Sequence, residues 1–356
     1  NTTTYSSFSS WGVPTKITDA NGNETLYEYD NYGTLLKTTK PDGAQYSTSY
    51  EWGGKSLYKV IETGCDMPQK ITHYDSMNRE VCTQVSCFDG TIRSIEKEYD
   101  AQGRLVRQSL PYKTDSARYW ITYAYDDYGR LLSKSEPSGK ISSWIYDGTA
   151  TTSIVDGVSS TKKTDAAGNV VSIIDGGGIV RYDYRDDGQL CQILTPTNVK
   201  TTFEYDNYGR RTKIIDPSAG IRTESYVWNT DGTSTSTHTN PNGWLITHKD
   251  KYGRSMLVEC SDGSSTVYTY DLKGRLSSEV STNGCAKEYL YDRFDRIVRL
   301  KESVPNGKYL ESKYGYRVGG KVDSIRYDSH HTHMVTESYQ YINGYRTCVE
   351  LEDGTI

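Results

Sequence analysis

Aromatic residues alternate with small or polar ones along most of the chain. Tyr27 and Tyr29 flank Glu28, Tyr123 and Tyr125 flank Ala124, and Tyr182 and Tyr184 flank Asp183. Phe203 and Tyr205 flank Glu204, and Tyr268 and Tyr270 flank Thr269. A spacing of two puts both rings on one face of a strand and the residue between them on the other. Tyr289 and Tyr291 keep the spacing, with Leu290 between them. No stretch sustains a helical period. The pattern predicts half-buried β-strands whose apolar face is supplied by tyrosine.

Each such strand runs into a phrase of the form Y-D-x-x-G-R. It appears as Tyr29-Asp30 with Gly33, Tyr99-Asp100 with Gly103-Arg104, and Tyr125-Asp126 with Gly129-Arg130. It returns as Tyr205-Asp206 with Gly209-Arg210, Tyr270-Asp271 with Gly274-Arg275, and Tyr291-Asp292. Asp opens a type I turn by accepting the backbone N–H two residues on. Gly in fourth place lets the chain turn left-handed into a hairpin bulge. Asn78, Asp295 and Gly188 take the glycine place in other copies. A second, looser turn follows about ten residues later. It reads Pro41-Asp42-Gly43, Asp89-Gly90, Pro137-Ser138-Gly139, Asp156-Gly157, Asp262-Gly263, Asn283-Gly284 or Asn306-Gly307. The unit is therefore strand, tight turn, strand, glycine turn.

With the residue before the Asp position as marker, copies fall at Tyr29, Tyr50, Tyr74, Tyr99, Tyr125, Tyr146, Thr164, Tyr184, Tyr205, Tyr226, Lys249, Tyr270, Tyr291 and Tyr316, and a faded one lies near Tyr341. Successive spacings run from 18 to 26 residues. The copies fill residues 1–356 as a single array with no visible boundary. The expected fold class is all-β: a repetitive antiparallel hairpin meander forming one wide curved, shell-like sheet. About thirty strands spaced about 4.8 Å apart would make a ribbon about 140 Å wide, which twist forces to curl. A single-layer wall of this kind would rely on rings stacked strand to strand. A propeller would pair two units per blade, yet alternate units do not resemble each other.

Composition agrees with a thin wall. Hydrophobic residues make up 35% of the chain, and that share already counts 32 tyrosines against four Phe and four Met. The net charge of −5 comes from 41 basic and 46 acidic residues mixed along the chain, so a nucleic-acid surface is not expected. No run is apolar enough for membrane insertion, and the start shows no leader pattern. The chain opens without Met, as a processed product or a piece of a longer protein would. Seven cysteines at irregular spacing are expected to be free thiols, and no C-x-x-C suggests zinc. Cys82 and Cys87, five apart, would face opposite ways if both lay in one strand.

The full copies "YDAQGRLVRQSLP", "YDDYGRLLSKSEPSG", "YDNYGRRTKIIDPSAG" and "YDLKGRLSSEVSTNG" resemble the YD repeat of the Rhs family over roughly residues 19–345. That resemblance implies a spiralling β-sheet shell. In bacterial polymorphic toxins and insecticidal toxin complexes such a shell encloses a toxic domain, and in the related teneurins it serves cell adhesion. The expected partner is then a flanking or encapsulated polypeptide of the same protein, and the expected location is secreted or at the cell surface. The family's D-P-x-G core motif is missing, because Asp216-Pro217 is followed by Ser218-Ala219 in an ordinary turn. No self-cleavage residue and no toxin activity is carried over.

Candidate chemistry is sparse. The repeated Asp reads as a turn cap, and the repeated Arg as a partner for tyrosine rings or nearby carboxylates. A catalytic site needs one unique constellation, not one pair many times over. No enzyme activity, catalytic residue, cofactor or metal is assigned. The least repetitive feature is "DSHHTHM", where His331 and His333 could share a strand face with Asp328, against the simpler reading of a solvated loop. An alternative function is an extracellular module whose exposed aromatic rows bind a cell-surface glycan.

Overall fold

The computed structural model describes residues 2–54, 56–114, 116–330 and 332–353. These residues hold 33 strands and no helix, an all-β meander of antiparallel hairpins. The chain forms two compact units, residues 1–121 with 286–356, and residues 122–285.

In the second unit each strand pairs with its neighbours in sequence. Lys200–Tyr205 pairs with Arg211–Asp216, which pairs with Gly220–Trp228, and so on to Ser265–Tyr270 with Leu276–Ser281. The register sorts side chains by face. Tyr268 lies opposite Glu279, while Val267 lies opposite Val280 on the other face. No second layer covers either face: Ala44 is the one buried hydrophobic residue among the described residues. The rest of the apolar surface is half-buried, which suits tyrosine because its hydroxyl can stay wet.

The tight turns share one geometry. In the Asp206 copy, the Gly209 N–H donates to the Asp206 carbonyl (3.0 Å) and the Asp206 N–H to the Arg210 carbonyl (2.9 Å). Gly209 has φ of +78°, and Asn78 and Asp295 stand in its place elsewhere at +60° and +63°. A second irregularity follows at the marker itself. Glu204 pairs with Lys213, but Tyr205 pairs with Arg211, so the register slips by one residue. The same slip recurs at Tyr29, Tyr74, Tyr125, Thr164, Tyr184, Lys249, Tyr270, Tyr291, Tyr316 and Tyr341. Nothing in the sequence pattern pointed to it.

In the first unit the turns of two distant segments interlock. The early segment offers the edge that carries its glycine turns, and the late segment offers its tight-turn edge. Asn21 Nδ2 donates to Asp295 Oδ2 (2.8 Å), and Asn23 Nδ2 to the Arg293 carbonyl (3.0 Å). Asp42 Oδ2 accepts the Gly319 N–H (3.1 Å) and lies 3.9 Å from the Arg296 guanidinium. Asp66 lies 3.1 Å from Arg317 Nε, and Asn343 Nδ2 donates to the Cys87 carbonyl (2.9 Å). Gly344 sits hard against the Asp66–Met67 backbone at φ of +77°, where a Cβ would overlap the Asp66 carbonyl. Each early turn thus lodges beside late turns, and polar contacts hold the junction throughout.

Ring stacking departs from expectation. Tyr58 stacks on Tyr74 of the neighbouring strand (4.9 Å), and Trp52 lies tilted against Tyr58 (5.1 Å), but no ladder of stacked marker rings runs along the described residues. The reason is spacing. Marker tyrosines recur on every second strand, about 9.6 Å apart at a strand spacing of about 4.8 Å, beyond ring contact.

Candidate functional site

The repeated turn is the best-defined constellation in the chain. Its aspartate works with both oxygens. Asp206 Oδ1 accepts the backbone N–H of Tyr208 and of Arg210, each at 2.9 Å. Asp206 Oδ2 takes the Arg210 Nε–H at 2.7 Å. Asp100 with Arg104, Asp126 with Arg130, Asp271 with Arg275 and Asp292 with Arg296 repeat the arrangement. So do Asp75 with Arg79 and Asp250 with Arg254. Asp30 caps the N–H groups of Tyr32 and Thr34 (2.8 Å each) with Thr34 in the Arg position. Burial pushes the Asp206 carboxyl up, but the Arg210 N–H and guanidinium outweigh it and hold it below the usual range. At Asp75 the Arg79 side chain is the leading cause of the same lowering.

The arginine reaches forward as well. Arg130 lies 4.4 Å from the Tyr146 ring, Arg210 4.6 Å from Tyr226, and Arg254 4.5 Å from Tyr270. Arg79 over Tyr99 (4.8 Å) and Arg296 over Tyr316 (4.5 Å) continue the series. Guanidinium groups therefore fill the interval between rings that are too far apart to touch.

The marker tyrosine completes the link. A register slip leaves a backbone carbonyl without a ladder partner, and a half-buried carbonyl needs one. In several copies the next marker's hydroxyl supplies it, whereas Tyr226 donates to Glu224 Oε2 instead (2.7 Å). Tyr205 donates to the Leu190 carbonyl (2.8 Å), Tyr270 to Ser255 (2.7 Å) and Tyr316 to Ile297 (2.6 Å). Tyr99 to Glu80, Tyr146 to Leu131, Tyr184 to Val170 and Tyr341 to Val322 follow the same rule, and Tyr29 donates to Pro14 at the chain start. Apart from Pro14, which pairs with Phe8, each of these acceptors is the residue paired with the preceding marker at its slip, as Leu190 is with Tyr184. Tyr125 and Tyr291 hold the same half-buried place at their strand ends.

A second aromatic series lies at the turn tips. Tyr32, Tyr128, Tyr208 and Tyr252 are 71–86% exposed. The turn's own arginine covers Tyr128 and Tyr208 at 5.2 Å and Tyr252 at 5.0 Å.

Outside the repeat, chemistry is limited. Asp328 is buried, and its oxygens are occupied by Lys313 Nζ (2.9 Å) and Arg326 Nε (2.8 Å). His333 Nδ1 stands 3.5 Å from it, His330 stacks on Tyr309, and His331 lies outside the described residues. Among the described residues no group of three or more His, Cys, Asp or Glu is placed to hold a metal. All seven cysteines are unpaired thiols. Cys87 opens a turn after the strand Glu80–Ser86, so the expected strand relation to Cys82 does not arise. His73 and Cys82 are directly opposite on paired strands, a juxtaposition their sequence distance hides. Burial, then the Glu96 charge, pushes the Cys82 thiol up to about 11, so it stays protonated and is no nucleophile at neutral pH. Among the described residues no helix is long and apolar enough to cross a membrane.

A meander whose hairpins are welded one to the next by an Asp–Arg–Tyr relay defines a β-repeat protein of the shell-forming class. The chain belongs to the teneurin YD-shell family, whose profile matches residues 152–341, and the RHS repeat profile matches residues 9–45 and 99–141. It is 25% identical over 335 residues to the double-stranded DNA deaminase toxin A of Burkholderia cenocepacia (strain H111), covering 94% of this chain and 18% of that protein. It is 24% identical over 217 residues to mouse (Mus musculus) teneurin-3, covering 56% of this chain and 7% of that protein. The chain thus spans less than a fifth of the length of these relatives. Among solved structures, the crystal structure of TcdB2-TccC3 aligns with 96% of this chain and 30% of that one, at 14% identity and a TM-score of 0.39.

Proposed function

We propose that residues 1–356 form one continuous length of non-catalytic wall. In the intact protein this wall encloses or displays a flanking toxin or effector polypeptide, and the protein acts outside the cell that makes it or at its surface. The observation that carries this reading is the use of the repeated residues. Asp, Arg and marker Tyr in the full copies, such as Asp206, Arg210 and Tyr205, are taken up by one another, by a neighbouring ring and by the backbone. None is left to form a unique reacting constellation. Chemistry of the kind named for the deaminase relative would then reside in polypeptide outside this chain.

The test uses the full gene product. Polypeptide joined to the array resists added protease when the junction between the interlocked turns is intact. Gly344→Asp, which wedges that junction open, makes the joined polypeptide cleavable. Equal cleavage with and without the substitution, or turnover by residues 1–356 alone, overturns the reading.

The adhesion alternative keeps one specific support, the exposed tip tyrosines Tyr32, Tyr128, Tyr208 and Tyr252. A glycan array probed with wild type and with a Tyr128→Ala/Tyr208→Ala/Tyr252→Ala variant tests it. Hits lost in the variant support adhesion through the tips, and an empty array removes it.

A further inference from the structure

One copy breaks the regular path of the chain. The strand Ile92–Tyr99 pairs first with Leu105–Ser109 and then, at its other end, with Tyr112–Lys113. Between these pairings Ser109 turns inward and is fully buried, and its hydroxyl accepts the Glu96 N–H at 2.8 Å in place of a ladder carbonyl. The chain then leaves the sheet, and the Leu110 N–H donates to the Tyr119 carbonyl (2.7 Å) at the neck of the excursion. The excursion brings Arg118 back to the sheet, 3.1 Å from Glu96 Oε2 and 5.0 Å from the Tyr112 ring. A pocket of about 550 Å³ results, within the size range of small-ligand sites.

The floor of the pocket is a polar row across successive strands. Ser56 Oγ lies 3.1 Å from His73 Nδ1, and His73 Nε2 lies 3.2 Å from Gln84 Oε1. An amide oxygen can only accept, so Nε2 carries the ring proton and Nδ1 accepts from the Ser56 hydroxyl. The row continues through Ser94, directly opposite Gln84, to Tyr112, directly opposite Ser94. Among the described residues, Gln84 Nε2 and the hydroxyls of Ser94 and Thr114 have no protein partner.

The charges at the pocket are already matched. Glu96 receives the Tyr112 hydroxyl at 2.6 Å as well as Arg118, Glu98 is paired with Arg107, and Lys97 with Glu80. Among the described residues lining the pocket, no carboxylate, lysine or arginine is left without an opposite charge beside it. What the pocket offers is a set of neutral donors and acceptors at close spacing, with more polar than apolar surface on its walls.

We propose that this pocket binds a neutral sugar unit. Ring hydroxyls both donate and accept, which is what the Gln84 amide and the Ser94 and Thr114 hydroxyls can match. Recognition of this kind is sensitive to single polar groups, because each one removed leaves its partner unpaired. The site is separate from the tip tyrosines and does not depend on the wall reading.

Saturation-transfer NMR on the 356-residue chain tests it, with cellobiose and diacetylchitobiose as probes and glucuronate and glucosamine as charged controls. The expected result is saturable binding of a neutral disaccharide, weakened about tenfold or more by Gln84→Leu and by Thr114→Val. Thr237→Val, in the other unit, leaves it unchanged. Thr114 lies on the excursion, so its variant remains informative if Gln84→Leu fails to fold, and the thermal midpoint of each variant checks this. No binding of either disaccharide, equal binding by the Thr114 variant, or preference for a charged control overturns the proposal.

Discussion

The two edges of the sheet are closed by turns of different character. A tight turn such as Asp250–Arg254 captures two backbone N–H groups, an ion pair and, through the bulge beside it at Ser255, the tyrosine Tyr270 of the next copy. A glycine turn such as Ser281–Cys285 captures little beyond its own backbone, with Asn283 Oδ1 accepting one N–H from Cys285 (2.9 Å). Away from the interlocked turns of the first unit, one edge couples copies sideways and the other only reverses the chain. The uncoupled edge can therefore change length without disturbing its neighbours. It ranges from the two residues Asp156-Gly157 between paired Val155 and Val158 to the long excursion after Ser109.

Acid should have the largest effect. The turn carboxylates are held below the ordinary value near 4, so their contribution is complete above that pH and is lost as pH falls through the lower folded values. Melting temperature followed by circular dichroism should be level near neutrality and fall steeply below about pH 4. Asn at Asp126, Asp206 and Asp250 together should flatten that fall, because the charge-dependent half of each cap is gone. Asn at Asp216 and Asp262, on the glycine edge, whose carboxyls are also lowered but by hydroxyl and backbone N–H donors with no arginine, should change it less. Equal flattening would erase the distinction between the edges.

Next comes the place where the two edges touch. Gly344→Ala adds both a strained left-handed backbone and an overlap with Asp66, and should cost about 3 kcal/mol in a denaturant melt. A cost near zero would mean the interlocked turns contribute nothing.

A smaller effect separates the two tyrosines of one strand. Tyr270→Phe strands the Ser255 carbonyl and should cost about 1–2 kcal/mol. Tyr268→Phe, two residues earlier, removes a hydroxyl with no protein partner among the described residues and should change stability by a few tenths of a kcal/mol, about the surface norm. Similar losses would show that ring burial, not the hydroxyl link, joins the copies. The smallest effect belongs to the glycine edge, where Asn283→Ala should cost about 0.5 kcal/mol by losing one exposed hydrogen bond.

Turn chemistry made the meander legible in the sequence, because Asp and Gly at fixed separation have few other uses. The forward reach of Arg and Tyr was not legible. Its acceptors are backbone carbonyls at Leu131, Val170, Leu190 and Ser255, and a carbonyl has no letter in a sequence. The interlocked turns escaped for a different reason. Asn21 and Asp295 meet across 274 residues, and neither stands out from dozens of other turn residues. The sugar pocket depends on a bulge at Ser109, and no repeat pattern marks one serine as special.

The hydroxyl link also has a direction. Where the link forms, a bulge is finished by the tyrosine of the copy that comes after it, as at Leu190, Ser255 and Ile297. A chain leaving the ribosome therefore carries one open bulge at its growing end, closed about twenty residues later when the following marker arrives. Loss of a single marker tyrosine would leave its mark upstream of the substitution, in the hairpin already made.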